Sequence, residues 1–173
     1  MIDYFVILIS KTNSILIDLN KKISTFNVYG LSTSPAFVSL AHELAHAEDF
    51  NNGTIDMNIW GNTHSEPIYN AEKYAVHIEN KIRAENSLLL RSHYADNSYI
   101  NIKGEKITKP FLQTLVNGSQ SPFYSVTETI VFKTFENNTV HGSIKYTRPF
   151  DFNRDKAEAK TIYFPTELFE LFK

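Results

Sequence analysis

The chain has 173 residues, of which 42% are hydrophobic and 21% charged, with a formal net charge of -2; this composition fits one globular domain able to bury its own core. There is no basic excess of the kind that draws a phosphate backbone or an anionic membrane, which argues against nucleic acid or a membrane as partner. With Cys 0, disulfides, thiolate nucleophiles and thiolate zinc ligands are excluded, and any metal site must be built from His, Asp or Glu.

The chain opens on an apolar run that Asp3 interrupts, without a basic flank and with "FVILI" far too short to span a bilayer. It reads as a buried strand, so an export signal is not visible. "YFVILI", "SILIDL" and "KISTFNVYG" are short, rich in β-branched and aromatic residues and separated by polar turns, which predicts a small N-terminal sheet. "STSPAFVSLAHELAHAEDFNNG" follows, with Ser34 as the expected N-cap, Pro35 at the first helical position and "NNG" as the stop. After a long polar linker, "TIDMNIWGNTHSEP", a second helix is predicted over "PIYNAEKYAVHIENKIRAENSLLL", with Tyr74, Ala75, Ile78, Ile82 and Leu88 or Leu89 as its apolar stripe. Beyond residue 95, "SVTETIVFKTF" and "TVHGSIKYTRPF" around "ENN" predict a β-hairpin, and "AKTIYFPTELFELF" a strand and a short terminal helix. "NGSQSP" and "DFNRDKAEA" read as loops. The expected organisation is a single domain over 1–173, with a core through residue 95 and a β-rich part over 96–173.

The first helix carries His42-Glu43-x-x-His46. Positions four apart lie one above the other on a helix, so both imidazoles can reach one point, as tetrahedral zinc requires. Glu43 stands beside the first histidine, where it can take a proton from an activated water without being a ligand. Two imidazoles and a carboxylate among Leu40, Ala41, Leu44 and Ala45 are hard to satisfy without a metal or dedicated partners. A hydrolytic site needs a third protein ligand and an open position. No histidine follows until His64, which favours a glutamate and a gluzincin-type site. Glu72 is the preferred third ligand. Glu79, one face-repeat later on the same helix, is the alternative ligand or the group that orients a ligand histidine from behind. Glu66, His64 and His77 are lesser candidates, Glu85 reads as a solvated helix residue, and His93 and His141 as surface or hydrogen-bonded side chains.

"LAHELAHA" followed by "AEKYAVHIENKIRAENSLLLRSHY" resembles the NleD-like effector zinc metallopeptidases, which also occur as toxin tips on Rhs-repeat proteins and are similar to clostridial neurotoxin light chains. The resemblance covers roughly residues 34–95 and aligns Glu79-Asn80, Arg83 and Arg91-x-x-Tyr94 with the family pattern. It implies that Arg91 and Tyr94 support the transition state, for which a guanidinium and a phenol are suitable oxyanion donors. It also implies a zincin-like α+β fold and a Zn2+ cofactor. The expected activity is endopeptidase cleavage of a protein or peptide substrate by an effector or toxin that is secreted or delivered into a target cell. A monomer is expected, with an immunity or carrier protein as a further partner. "KISTFNVYG" is expected to offer an exposed edge to an extended peptide. The competing readings are a zinc-binding module without turnover and an interaction domain without metal.

Overall fold

A computed structural model describes residues 23–63 and 66–168. The expected strands "YFVILI" and "SILIDL" lie outside the described residues, as does His64. The fold is α+β and divides between Ser119 and Gln120 into two compact units; residue 95 itself lies within a strand of the first.

The first unit begins with a hairpin, β1 (Ile23–Asn27) and β2 (Gly30–Ser34), paired antiparallel from Ile23↔Ser34 to Asn27↔Gly30. "KISTFNVYG" is therefore not one strand: it turns at Val28-Tyr29, where Asn27 Oδ1 accepts the Tyr29 amide at 2.8 Å and Gly30 takes a φ of 121° that other residues rarely adopt. The strand leading into the first helix is β2. Among the described residues it is an edge strand, whereas β1 is flanked by β2 and β5. The helix α1 (Ala36–Asn51) starts after Pro35, with no side-chain cap. Ser34 is not the N-cap, because it ends β2 and its hydroxyl is taken by Arg83 Nη2 at 2.8 Å.

The stretch read as a linker contains β3 (Ile59–Asn62) and β4 (Pro67–Tyr69), an antiparallel pair with a bulge between Ile59 and Gly61. Helix α2 spans Ala71–Glu85 and so ends before Leu88 and Leu89. Its buried face is Ala71, Ala75, Val76, His77, Glu79, Asn80 and Arg83, not the predicted apolar stripe, of which only Ala75 is buried. Small side chains at Ala45, Ala71 and Ala75 allow α1 and α2 to pack closely, and the Tyr74 hydroxyl donates to Glu48 Oε2 at 3.1 Å across them. The strands β5 (His93–Ile100) and β6 (Lys106–Gln113), which the sequence did not announce, complete a sheet in the order β2-β1-β5-β6.

The second unit holds β7 (Gln120–Thr134), β8 (Thr139–Asp151) and β9 (Ala159–Pro165) in the order β8-β7-β9. The expected hairpin is β7–β8, closing at Thr134↔Thr139, and β9 runs parallel to β7. Part of "NGSQSP" belongs to β7, since that strand starts at Gln120. Val126, Phe132, Phe150 and Phe152 are its buried apolar residues. Arg148 bridges Glu128 and Asp155, each at 2.6 Å. A 3₁₀ turn occupies 166–168, and the remainder of the expected terminal helix is outside the described residues. Among the described residues no helix is long and apolar enough to cross a membrane.

Candidate active site

The i, i+4 spacing on α1 stacks His42 and His46 on its buried face, with ring centroids 5.0 Å apart. Glu72, in the first turn of α2, enters from the opposite helix, at an end that favours a carboxylate. Its Oε2 lies 3.1 Å from His42 Nε2 and 3.3 Å from His46 Nε2. One donor atom from each of these three residues falls within 4.8 Å of the others, an N,N,O set of the composition zinc takes in open sites. Burial opposes a charged His42, but hydrogen bonds and charges from Glu72 and Glu79 outweigh it and raise its pKa to about 9. Burial would likewise raise Glu72, yet the two histidines hold it well below the usual carboxylate range. A cation at this point would take over the role of the histidine protons, so the residues present fit a metal.

Glu79 lies behind this cluster and is 2% exposed. Its Oε2 meets His42 Nδ1 at 3.1 Å and accepts from Arg91 Nη1 at 2.8 Å, and its Oε1 accepts from Arg83 Nε at 2.8 Å. Burial alone would raise its pKa, but Arg91, His42 and Arg83 hold it far below the ordinary value. Arg83 reaches onward to the first hairpin, donating to Thr25 Oγ1 at 3.1 Å and Ser34 Oγ. Arg91 donates also to the carbonyls of His93 (3.2 Å) and Tyr94 (2.6 Å). Asn80 binds both backbone groups of Arg91, donating to its carbonyl at 3.0 Å and accepting its amide at 2.7 Å. The Glu-Asn, Arg and Arg-x-x-Tyr elements thus form one continuous network.

Glu43 is 7% exposed. Burial raises its pKa, the histidines oppose the rise, and Glu72 and Glu79 add to it; a carboxylate so placed is a better base than an ordinary one. Tyr94 sits with its hydroxyl within reach of Glu72, and burial together with the Glu72 charge keeps the phenol protonated far beyond neutral pH. Its ring lies 4.7 Å from the Arg91 guanidinium carbon, 6.4 Å from the His42 ring and 5.9 Å from Trp60. Trp60 escaped the sequence reading because "NIWGN" lay inside an apparent linker; the chain's single tryptophan set against a glycine was the available signal.

The other candidates lie elsewhere. His77 is buried on α2 and is not part of the His42–His46–Glu72 group; burial and the Lys81 charge push its pKa down to about 3. Glu66 contributes its carbonyl to the β3–β4 turn, accepting from Thr63 at 2.9 Å. Glu85 is exposed. His93 meets the Ser92 hydroxyl at 3.0 Å and His141 meets Thr134 at 2.9 Å.

No curated protein and no solved structure matches the chain. One family model does: Peptidase_M91, described as an effector protein, matches residues 9–94. The match takes in both helices and closes on Tyr94, the last residue of the Arg91-x-x-Tyr94 motif. Through that stretch the chain belongs to the Peptidase_M91 effector protein family, and so stands among effector peptidases.

Proposed function

We propose that this chain is a zincin-like, gluzincin-type endopeptidase that acts as an effector inside a target cell, cleaving a protein substrate. The reading is carried by one observation: the Nε2 atoms of His42 and His46, both on α1, converge on Glu72 Oε2 of α2, with the buried Glu43 beside them. His42, His46 and Glu72 would hold the zinc, and Glu79 would fix His42 by accepting from its Nδ1. When bound, the metal supplies a Lewis acid that polarises the scissile carbonyl and makes water a nucleophile near neutral pH.

The chain's own groups then divide the work. Glu43 takes the proton of the attacking water and returns it to the leaving amine nitrogen, a role suited to a carboxylate whose pKa is raised. Tyr94 donates its hydroxyl to the carbonyl oxygen as negative charge develops on it. Arg91, which the resemblance pairs with Tyr94 as an oxyanion donor, already serves Glu79 and the carbonyls of His93 and Tyr94. We therefore assign it to positioning both Glu79 and Tyr94.

The test combines metal analysis with cleavage of casein by the zinc-loaded chain. We expect about one zinc per chain, and we expect Glu43→Gln to keep the zinc while abolishing cleavage. Wild-type turnover in Glu43→Gln would overturn the assignment of the base. Zinc content near zero, unrestored by added metal, would overturn the whole reading.

A further inference from the structure

We propose that Trp60 is a positioning residue for Tyr94, holding the phenol at the reacting centre; this rests on the reading of Tyr94 as the oxyanion donor. Trp60 is the extra residue of the β3 bulge, since Ile59 and Gly61 oppose the consecutive residues Tyr69 and Ile68. A bulge bends its strand and re-aims one side chain, and here the indole lies 5.9 Å from the Tyr94 ring at an interplanar angle of 46°.

A second irregularity lies on β6, against the residue that follows Trp60. Leu112 on β6 has a φ of 57°, a left-handed conformation that is strained for a bulky side chain. Its place in the β5–β6 ladder is opposite Tyr94, between the pairs His93↔Gln113 and Ala95↔Phe111. The Leu112 side chain fills the space that a Cβ on Gly61 would need: such an atom would stand 2.7 Å from Leu112 Cδ2 and 3.3 Å from Phe111 Cζ. A bulge, a glycine and a strained leucine thus set the segment bearing Trp60 against β6, the strand paired with the one that bears Tyr94.

Cations cap the pair at both ends. The Lys73 ammonium lies 5.3 Å from the Trp60 ring and the Arg91 guanidinium 4.7 Å from the Tyr94 ring, each within cation–π range. The row Lys73–Trp60–Tyr94–Arg91 leads from the residue next to Glu72 to the guanidinium that holds Glu79. None of these contacts requires substrate, so their effect falls on where the phenol stands. A misplacement of about 1 Å at a catalytic group can reduce turnover by roughly 100-fold.

The experiment uses the full zinc-loaded chain with casein as substrate, together with crystal structures of the wild type and Trp60→Ala. Trp60→Ala is expected to lower kcat by roughly 10- to 100-fold with KM little changed. Trp60→Phe, which keeps an aromatic face, should restore most of it. In a Tyr94→Phe background the Trp60→Ala change should have almost no further effect. The Trp60→Ala structure should show the Tyr94 ring displaced from Glu72. An unmoved ring, or an equal loss of kcat with and without the Tyr94 hydroxyl, overturns the proposal. So does a rise in KM alone, which would make Trp60 a substrate contact. If the wild type leaves casein intact, the peptidase reading is what suffers, while the ring position still decides the role of Trp60.

Discussion

Replacing Glu79 with Ala should unfold the first unit more readily than any other single change in the site, and the reason can be worked from its contacts. The carboxylate is 2% exposed and meets Arg83 and Arg91 at 2.8 Å and His42 at 3.1 Å. Each guanidinium about 4 Å from the carboxylate charge gains about 4 kcal/mol at an effective dielectric of ~20, against which the desolvation of both partners is set. Removing the carboxylate loses that attraction while the desolvation of Arg83, itself 3% exposed, persists. A net loss of about 3–5 kcal/mol follows. For a unit running from Met1 to Ser119 about 4 °C is lost per kcal/mol, so the melting temperature should fall by roughly 10–20 °C. Glu72→Ala provides the contrast: its side chain is 20% exposed and meets only histidines in the ion-pair network, and His42 can give up its proton when that partner is lost, so the metal-free variant should lose clearly less stability than Glu79→Ala while losing its zinc. Thermal unfolding followed by helical circular dichroism on metal-free chains, with zinc affinity measured beside it, separates the two. If Glu79→Ala melts like the wild type and loses zinc as Glu72→Ala should, Glu79 is the ligand and the network argument is wrong.

Further outcomes follow from the same geometry. Tyr94→Phe should keep its zinc and its KM while kcat falls by roughly 10²–10³, the pattern of an interaction made in the transition state; steady-state cleavage of casein by the two chains measures it, and an unchanged kcat removes Tyr94 from the chemistry. In the second unit, the bidentate Arg148 contact lowers the Asp155 pKa below its ordinary value, despite burial. A carboxylate with a depressed folded pKa stabilises the fold above its unfolded pKa of about 3.9 and loses that contribution as pH falls through the folded value. Urea unfolding of this unit should therefore show stability falling as pH drops below about 4, with Asp155→Asn weaker at neutral pH and nearly flat in that acid range. A parallel acid loss in Asp155→Asn would assign the effect to another group.

The helix bearing His42 and His46 was legible because its chemistry and its periodicity coincide: a four-residue repeat of histidines needs only a helix to bring both imidazoles together. The second helix was misread for the opposite reason. Its buried face carries Glu79, Asn80 and Arg83, residues that ordinarily mark a solvated side and become buriable only through partners distant in sequence, such as Thr25, Ser34 and Arg91. Ser34 misled in the same way, its hydroxyl serving Arg83 while the sequence offered it to the helix. The strands β5 and β6 gave little local signal, because "HYADNSYI" and "KITKPFLQ" lack a clean apolar alternation and Pro110 lies within the second. Local rules failed chiefly where residues are committed to the site, which is where such failures are expected.

The buried charges explain why one carboxylate should serve as ligand and another should not. Glu43, Glu72 and Glu79 are balanced by Arg83 and Arg91, with both guanidiniums directed at Glu79. That leaves Glu43 and Glu72 without a guanidinium ion pair, facing the two histidines. Without a metal the remaining negative charge is offset by the proton on His42; a divalent cation taking that proton's place between neutral imidazoles would leave a surplus of one positive charge. The site would then favour the anion that forms when water adds to a peptide carbonyl, and more so once Glu43 has accepted its proton. Were Glu79 the ligand, the metal would share a carboxylate already satisfied by two arginines, and Glu72 would remain uncompensated. This supports the proposed division of labour, in which Glu72 would serve the metal while Glu79, held by Arg83 and Arg91, fixes His42.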